Sequence, residues 1–526
     1  MKAKTKIGIY KSIGFSFMIF LIILRYPNFL FQPRFWAEEA IYFEIFYSLE
    51  NWWQSFNLLI YPAYYLFLSR LGPSLATLLP LEYAPLATSL FGLFVLSIPL
   101  IIIFFTESVY WKSIKSKLLI SLFYIVCSTT GEVWITSTNI GFIVPIFIFL
   151  ILIDENLVSF SKRIFYNSLL FIGAISSPIA MLMAPLFFIK YFFYKSGFNR
   201  NYCTIFFVAA IIQLSYYSTS SYFGMVAEDR LSISSWDLET IVGNLLAYNI
   251  IFPLFGYFAS LLFREFFTTF AYGSDVKSFL SAINIHPEDS SAFLYFFEFL
   301  AKAAFPLLCI LLLVTIFFSL KIFINATPDK KIHFIGPFIY LSLMLNALSL
   351  GALGGFRYSI ITSFILLFYL YTLLIDFADQ KNLLVKSLLS ISLIMGFLEY
   401  YPRVHNYVPN TIVAEKIEWP NWNDEVYAWK LDNSYMPKVW PYIKNKDLIY
   451  PAWQVNESNI VCINLESPQN WERMGSRYFN TSFLEMAKHG FRNDSNIKIV
   501  HFTNCGGEIF INGTQPSLKQ NYDYYD

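Results

Sequence analysis

The chain has 526 residues, of which 56% are hydrophobic, 20% aromatic and 14% charged, and its mean hydropathy is +0.51. Soluble domains carry roughly 25% charged residues, so a water-facing globule, a disordered chain and a coiled coil are all excluded. Lys plus Arg number 37 and Asp plus Glu 36, a net charge of +1, which leaves no basic excess to track a phosphodiester backbone. An integral membrane protein remains.

Charge is unevenly spread. Residues 403–526 hold 26 of the 73 charged side chains, about 21% of that segment, against about 12% before it. This shift predicts a helical polytopic membrane domain over 1–402 and a soluble α/β domain over 403–526.

In chain order, a basic leader (Lys2, Lys4, Lys6) precedes an apolar run at 10–26 with no small-x-small cleavage site. That pattern predicts an uncleaved anchor with its N-terminus inside. Further runs of spanning length lie at 84–106, 118–136, 139–154, 202–222, 298–320, 333–351, 358–376 and 384–400. The stretch 164–193 is broken at Ser176-Ser177-Pro178 and predicts two short helices. About eleven spans result. Basic clusters at Lys112/Lys115/Lys117, Lys162/Arg163, Lys195/Arg200, Lys321/Lys330/Lys331 and Lys381/Lys386 mark inside loops. This alternation holds only if 57–79 and 241–270 lie along the outer interface. The tail then falls outside, in the periplasm of a bacterial inner-membrane protein. Four polar groups also fall outside: 27–56, 131–139, 223–240 and 351–358.

The first outer loop contains Pro33-Arg34-Phe35-Trp36-Ala37-Glu38-Glu39-Ala40-Ile41-Tyr42-Phe43. Adjacent carboxylates among aromatic rings suit a general base, since apolar surroundings raise a carboxyl pKa. They equally suit a hard divalent cation, Mg or Mn, or simply the acidic start of an interfacial helix. A Trp, a small residue and two acids in this place resemble the first-loop motif of the GT-C-fold glycosyltransferases. These are multi-span enzymes that take sugars from polyprenyl phosphates; the likeness is to bacterial members of the serotype-converting glucosyltransferase type. Tyr64–Leu71 and Leu79–Pro85 are similar to the family's interfacial helix and next span. The resemblance implies Glu39 or Glu38 as the base, Trp36 at the substrate and Arg70 near the donor phosphate. Here Glu39 stands where related sequences often carry Asp, and Ala40 where many carry Gly.

Gly351-Ala352-Leu353-Gly354-Gly355-Phe356-Arg357-Tyr358 closes a later outer turn. An Arg beside glycines can fork onto a phosphate, or it can snorkel to lipid headgroups beside an interfacial Tyr. An Arg-Tyr pair on a late outer loop looks like the family's lipid-phosphate contact, which implies donor binding by Arg357 and Tyr358. Gly131-Glu132-Val133-Trp134-Ile135-Thr136-Ser137-Thr138-Asn139 forms a third signal. Its Glu132, Trp134 and Asn139 can line a substrate cavity, with Trp134 stacking on a sugar, or make an interfacial hairpin turn.

The five His residues show no zinc spacing, and no nucleophile elbow occurs. Cys127, Cys203 and Cys309 lie in apolar runs, while Cys462 and Cys505 lie in the tail, where an oxidising compartment would allow a disulfide. In the tail, Trp422, Glu425 and Trp429 share a helix face, and the run resembles a segment after the last span in the same bacterial group. Segments 459–464 and 497–503 read as short strands.

Together these features predict a membrane enzyme of the inverting hexosyltransferase class. It would move a sugar from a polyprenyl-phosphate donor to a glycan or lipid acceptor on the outer face. No nucleotide fold and no certain cofactor is expected. The competing readings are a polymerase or ligase of O-antigen type, in which arginines would dominate, and a lipid-linked glycan flippase or transporter, which would need charges within the spans.

Overall fold

The computed structural model describes residues 2–47, 49, 51–58, 64–128, 130, 133–154, 159–222, 243–271, 327–350, 356–376 and 383–400. Beyond these it describes 417–418, 421–431, 442–443, 454–455 and 461–462. The described chain is a helical bundle. Its long apolar helices follow from sustained runs of Leu, Ile and Phe. In lipid a helix satisfies its own backbone hydrogen bonds.

Five helices are long and apolar enough to cross a membrane: Ile7–Arg25, Leu81–Phe105, Gly197–Tyr222, Gly243–Leu261 and Phe356–Ile375. The first belongs to α1 (Lys2–Arg25), the second contains α5 (Ala84–Phe105), and the third is α11 (Gly197–Tyr222). Between α1 and α5 lie α2 (Asn28–Phe31), α3 (Ala37–Tyr47) and α4 (Phe67–Ala76). After α5 come α6 (Ile114–Leu122), α7 (Val144–Ile153), α8 (Phe160–Ala174), α9 (Pro178–Met181) and α10 (Ala184–Tyr194). The series ends with α12 (Phe252–Ala271), α13 (Gly336–Leu350), α14 (Ile360–Asp376), α15 (Leu383–Leu398) and α16 (Trp422–Leu431).

All ten residues of α7 are buried. A helix apolar all round belongs in the centre, and α7 packs among α5, α8 and α14. The outer helices keep large apolar side chains exposed: Ile13, Phe17 and Phe20 on α1, Phe192 and Phe193 on α10, Phe207 and Leu214 on α11, Ile394 and Phe397 on α15. So wide an apolar exterior is what lipid contact requires.

The expected count of eleven spans is not reached among the described residues; five pass, or six with one bent pair. Composition hid the breaks. The run 118–136 is helical only to Leu122, changes to a π-turn at Phe123–Ser128, and then enters a turn where Ile135 adopts a left-handed φ of 52°. The stretch 164–193 does bend at Ser176-Ser177-Pro178, by 118°. Ser177 caps the new helix by accepting from the Ala180 N–H, and Pro178 sits in its first turn. The run 298–320 lies outside the described residues.

The stretch 241–270 corrects a second expectation. Gly243–Leu261 has spanning length rather than interfacial character, so the alternation of basic loops loses one of its two supports. Within 57–79, α4 has ten residues, about 15 Å, too short to cross, and seven of them are buried in the bundle; residues 59–63 lie outside the described residues. In the tail, α16 and two two-residue ladders are described, Ile417–Glu418 with Tyr442–Ile443 and Gln454–Val455 with Val461–Cys462. These do not assemble an α/β domain among the described residues. Cys127 and Cys203 are buried and form no disulfide; Cys505 lies outside the described residues.

Candidate functional site

The Arg25 end of the bundle gathers buried charges. Arg25, Arg34, Glu39, Arg70 and Glu399 are each at most 3% exposed, and ionisable groups buried in a membrane protein mark function by default.

Glu39 is the third residue of α3, and its carboxylate reaches back to accept the Trp36 N–H at 3.0 Å, half of a capping box. Its other oxygen accepts the Ser137 N–H. One side chain thus ties the first loop to the turn 133–138. That turn is pressed into the bundle. A Cβ on Gly92 would lie 2.8 Å from the Ile135 carbonyl carbon, and one on Gly72 would lie 2.6 Å from Ser137 Cβ. Ser69 of α4 donates to the Thr138 carbonyl at 2.8 Å. The buried Thr136 and Ser137 hydroxyls have no hydrogen-bond partner among the described residues, which leaves polar capacity in the turn that holds Glu39. The side chain of Glu38 lies outside the described residues. Positions 38 and 39 are about 100° apart around a helix, so the pair does not present one face.

Trp134 is fully buried. Its ring carries the Arg25 guanidinium 4.3 Å from the centroid, and its indole N–H donates to the Ile22 carbonyl at 3.1 Å. Arg25 also donates to the carbonyls of Tyr400 at 2.7 Å and Ile125 at 3.3 Å. No Trp134 face is exposed to a sugar, so its expected stacking role is replaced by a structural one. Trp36 is buried too, at 2% exposure.

Arg70 donates to the carbonyls of Ser55 at 3.1 Å and Leu58 at 2.7 Å and to the Tyr216 hydroxyl, between the rings of Tyr65 and Tyr216. A donor phosphate would have to displace these partners. Arg357 is half-buried, 5.3 Å from the Phe142 ring and 5.6 Å from that of Tyr358, and Phe142 meets Tyr358 edge-on at 5.2 Å. Phe142 ends the 3₁₀ turn that begins at Asn139, itself 8% exposed. The chain therefore links Glu39, Ser137, Asn139 and Arg357 through one continuous turn. Gly131, Glu132, the loop 223–240 and the glycines 351–355 lie outside the described residues.

Two further features lie away from the loop motifs. At Gly256, φ is 90° and the helix breaks; the Glu399 carboxylate caps the break, accepting from Tyr257 N–H and, at 3.1 Å, from Phe258 N–H. In addition, α16 docks on α3 and α5. Trp422 donates to the Leu81 carbonyl at 2.9 Å and meets Phe35 edge-on at 5.2 Å, while Lys430 pairs with Glu82. A glycine amid the apolar run 241–270, and single charges at the ends of spans, were the available clues.

Among the described residues no three His, Cys, Asp or Glu side chains gather to hold a metal ion. Of the divalent-cation site expected at Glu38 and Glu39, the Glu38 side chain lies outside the described residues, and each Glu39 oxygen accepts one N–H. Comparisons with protein-family models, with curated proteins and with solved structures find no match to this chain.

Proposed function

We propose that the chain is a membrane glycosyltransferase of GT-C type that moves a sugar from a polyprenyl-phosphate donor to a glycan or lipid hydroxyl. The observation that carries the reading is Glu39, a buried carboxylate held by two amides from two loops and linked through turn 137–142 to Arg357 and Tyr358. The acceptor oxygen attacks the anomeric carbon as its proton passes to Glu39. The bond from that carbon to the phosphate oxygen breaks, and Arg357 offsets the charge on the departing lipid phosphate. One displacement inverts the sugar. In this reading the Arg25 end faces outward across a bacterial inner membrane, the N-terminus lies inside, and residues 403–526 follow on the outer side.

A second reading rests on the break at Gly256. Helices interrupted within the apolar zone, with a carboxylate on the new N-terminus, resemble transporter substrate sites, and a lipid-linked glycan flippase would use one. Membranes supplied with a radiolabelled polyprenyl-phosphate hexose separate the two. Transferase action predicts label on an acceptor, falling about 10²–10⁴-fold in Glu39→Gln. Transfer at the wild-type rate in Glu39→Gln removes the base and with it the enzyme reading. Movement of the donor across the bilayer without transfer selects the flippase.

A further inference from the structure

At the opposite end of the bundle, a cavity of about 590 Å³ lies between the end of α5 and the start of α8. Its apolar wall is Ile101, Phe105 and Phe165; its polar wall is Glu107, Lys162 and the hydroxyls of Ser159 and Ser161. That size falls within the roughly 300–1,000 Å³ of ordinary ligand pockets. Phe105 is 50% exposed at the cavity, and Phe160 and Ile164 beside it are also exposed. The cavity therefore sits where the lipid-facing belt gives way to charge.

Its two charged residues have opposite signs and adjoin, the Lys162 ammonium donating to the Glu107 carbonyl at 3.4 Å. The Lys162 ammonium is fixed 2.7 Å from the fully buried Asp154 and lies over the Tyr166 ring at 5.2 Å. Tyr166 donates to the same Asp154 carboxylate at 2.6 Å. Glu107 turns out toward solvent with its side chain 74% exposed, and Lys11 approaches it at 3.1 Å. Lys117 stands behind, its ammonium donating to the carbonyls of Ile103 and Thr106. A matching ligand needs an anion for Lys162 and the serines, an N–H cation for Glu107, and a hydrocarbon tail for the phenylalanines.

We propose that this cavity holds an aminophospholipid of phosphatidylethanolamine type. Its phosphate meets Lys162, Ser159 and Ser161, its ammonium meets Glu107, and one acyl chain lies along Ile101, Phe105 and Phe165. A choline headgroup has no N–H for Glu107, and a phosphatidylglycerol headgroup offers no cation. The site is independent of the transferase reading and lies at the other end of the molecule.

The test is lipid retention by the full-length protein, purified from bilayers containing equal parts of phosphatidylethanolamine, phosphatidylcholine and phosphatidylglycerol. Native mass spectrometry then counts what stays bound. The expected result is phosphatidylethanolamine retained about fivefold over each of the others, the worth of one net hydrogen bond. Glu107→Gln should abolish its advantage over phosphatidylcholine. Ser161→Ala should lower retention of all three lipids while Lys162 keeps its pairing with Asp154 and Ser159 keeps its cap on α8. Equal retention of the three lipids by the native chain overturns the proposal. So does preference for phosphatidylglycerol, or a phosphatidylethanolamine preference that survives Glu107→Gln.

Discussion

The two ends of the bundle bury charge in different ways. At the Arg25 end backbone groups recur as partners, beside the side-chain contacts Arg70–Tyr216 and Lys430–Glu82. Arg25 binds the carbonyls of residues 125 and 400, and Arg70 those of 55 and 58; Glu39 accepts amides 36 and 137, and Glu399 amides 257 and 258. At the other end, side chain meets side chain in Lys162–Asp154, Tyr166–Asp154 and Lys11–Glu107, although Lys117 and Lys190 also donate to carbonyls. A charge bound to backbone fixes the path of the chain and cannot be exchanged with its partner by mutation. A side-chain pair can be replaced as a pair. The first end is therefore built for position, and the second tolerates revision.

The largest effect that contrast predicts is at Arg25. Arg25→Met keeps volume but strands two carbonyls and the Trp134 face. Losing one partner of a buried charged arrangement costs about 3–5 kcal/mol, enough to unfold a marginal protein. The fraction of protein that survives detergent extraction and heating should collapse. A variant as stable as wild type would erase the distinction between the two ends.

Next comes the docking of α16. Trp422 is 2% exposed and Val426 fully buried, against Phe35 and Phe43 on one side and Leu81 and Ala84 on the other. Trp422→Ala removes a ring whose burial is worth about 3–5 kcal/mol, but the loss is local to the cluster of Phe35, Phe43, Ala76, Leu81 and Ala84 on which α16 rests. Release of α16 with an intact bundle is expected. In Val426→Cys the new thiol should stay protected from thiol reagents, and adding Trp422→Ala should make it reactive.

Glu39→Gln should be milder in folding than in chemistry. The amide retains one acceptor but turns an NH₂ toward either the Trp36 or the Ser137 N–H, leaving an unmet donor worth about 1–3 kcal/mol. Thermal unfolding measures that loss and keeps it apart from the larger expected fall in sugar transfer.

What the sequence disclosed follows the same division. Membrane character and the break at Ser176-Ser177-Pro178 were legible because each rests on local chemistry: apolar length, or a serine cap before proline. The pairing of Trp422 with a distant helix was half legible, since the i, i+3, i+7 face was visible while its partner 341 residues away was not. Glu39 stood out by its motif and takes one amide from Trp36 three residues before it, but its second donor, Ser137, lies in a turn 98 residues later. Trp134 misled for a physical reason. An indole near a span end reads as interfacial, and only the tertiary fold places Arg25 on its face. The span count failed because hydropathy sums composition and does not register a π-turn or a left-handed Ile135.

The smallest effect sits at the other end, where the Lys11–Glu107 pair is open to water. The hydrogen bond from Lys11 is the main cause that holds the Glu107 carboxyl below its usual range. A carboxyl whose value is depressed on folding lends stability above the unfolded value, near pH 4.3, and loses it as pH falls through the folded value. Lys11→Met should therefore lower the unfolding temperature at neutral pH, and the gap from wild type should close as pH drops below about 4. Solvent screening limits the gap to less than about 1 kcal/mol. Glu107→Gln should lie as low as Lys11→Met at neutral pH, and the double variant no lower than either, because a side-chain pair removed whole leaves nothing stranded. A gap that stays constant with pH would mean that Lys11 acts through packing on Phe15 and Phe105 rather than through charge, and this end would then resemble the Arg25 end after all.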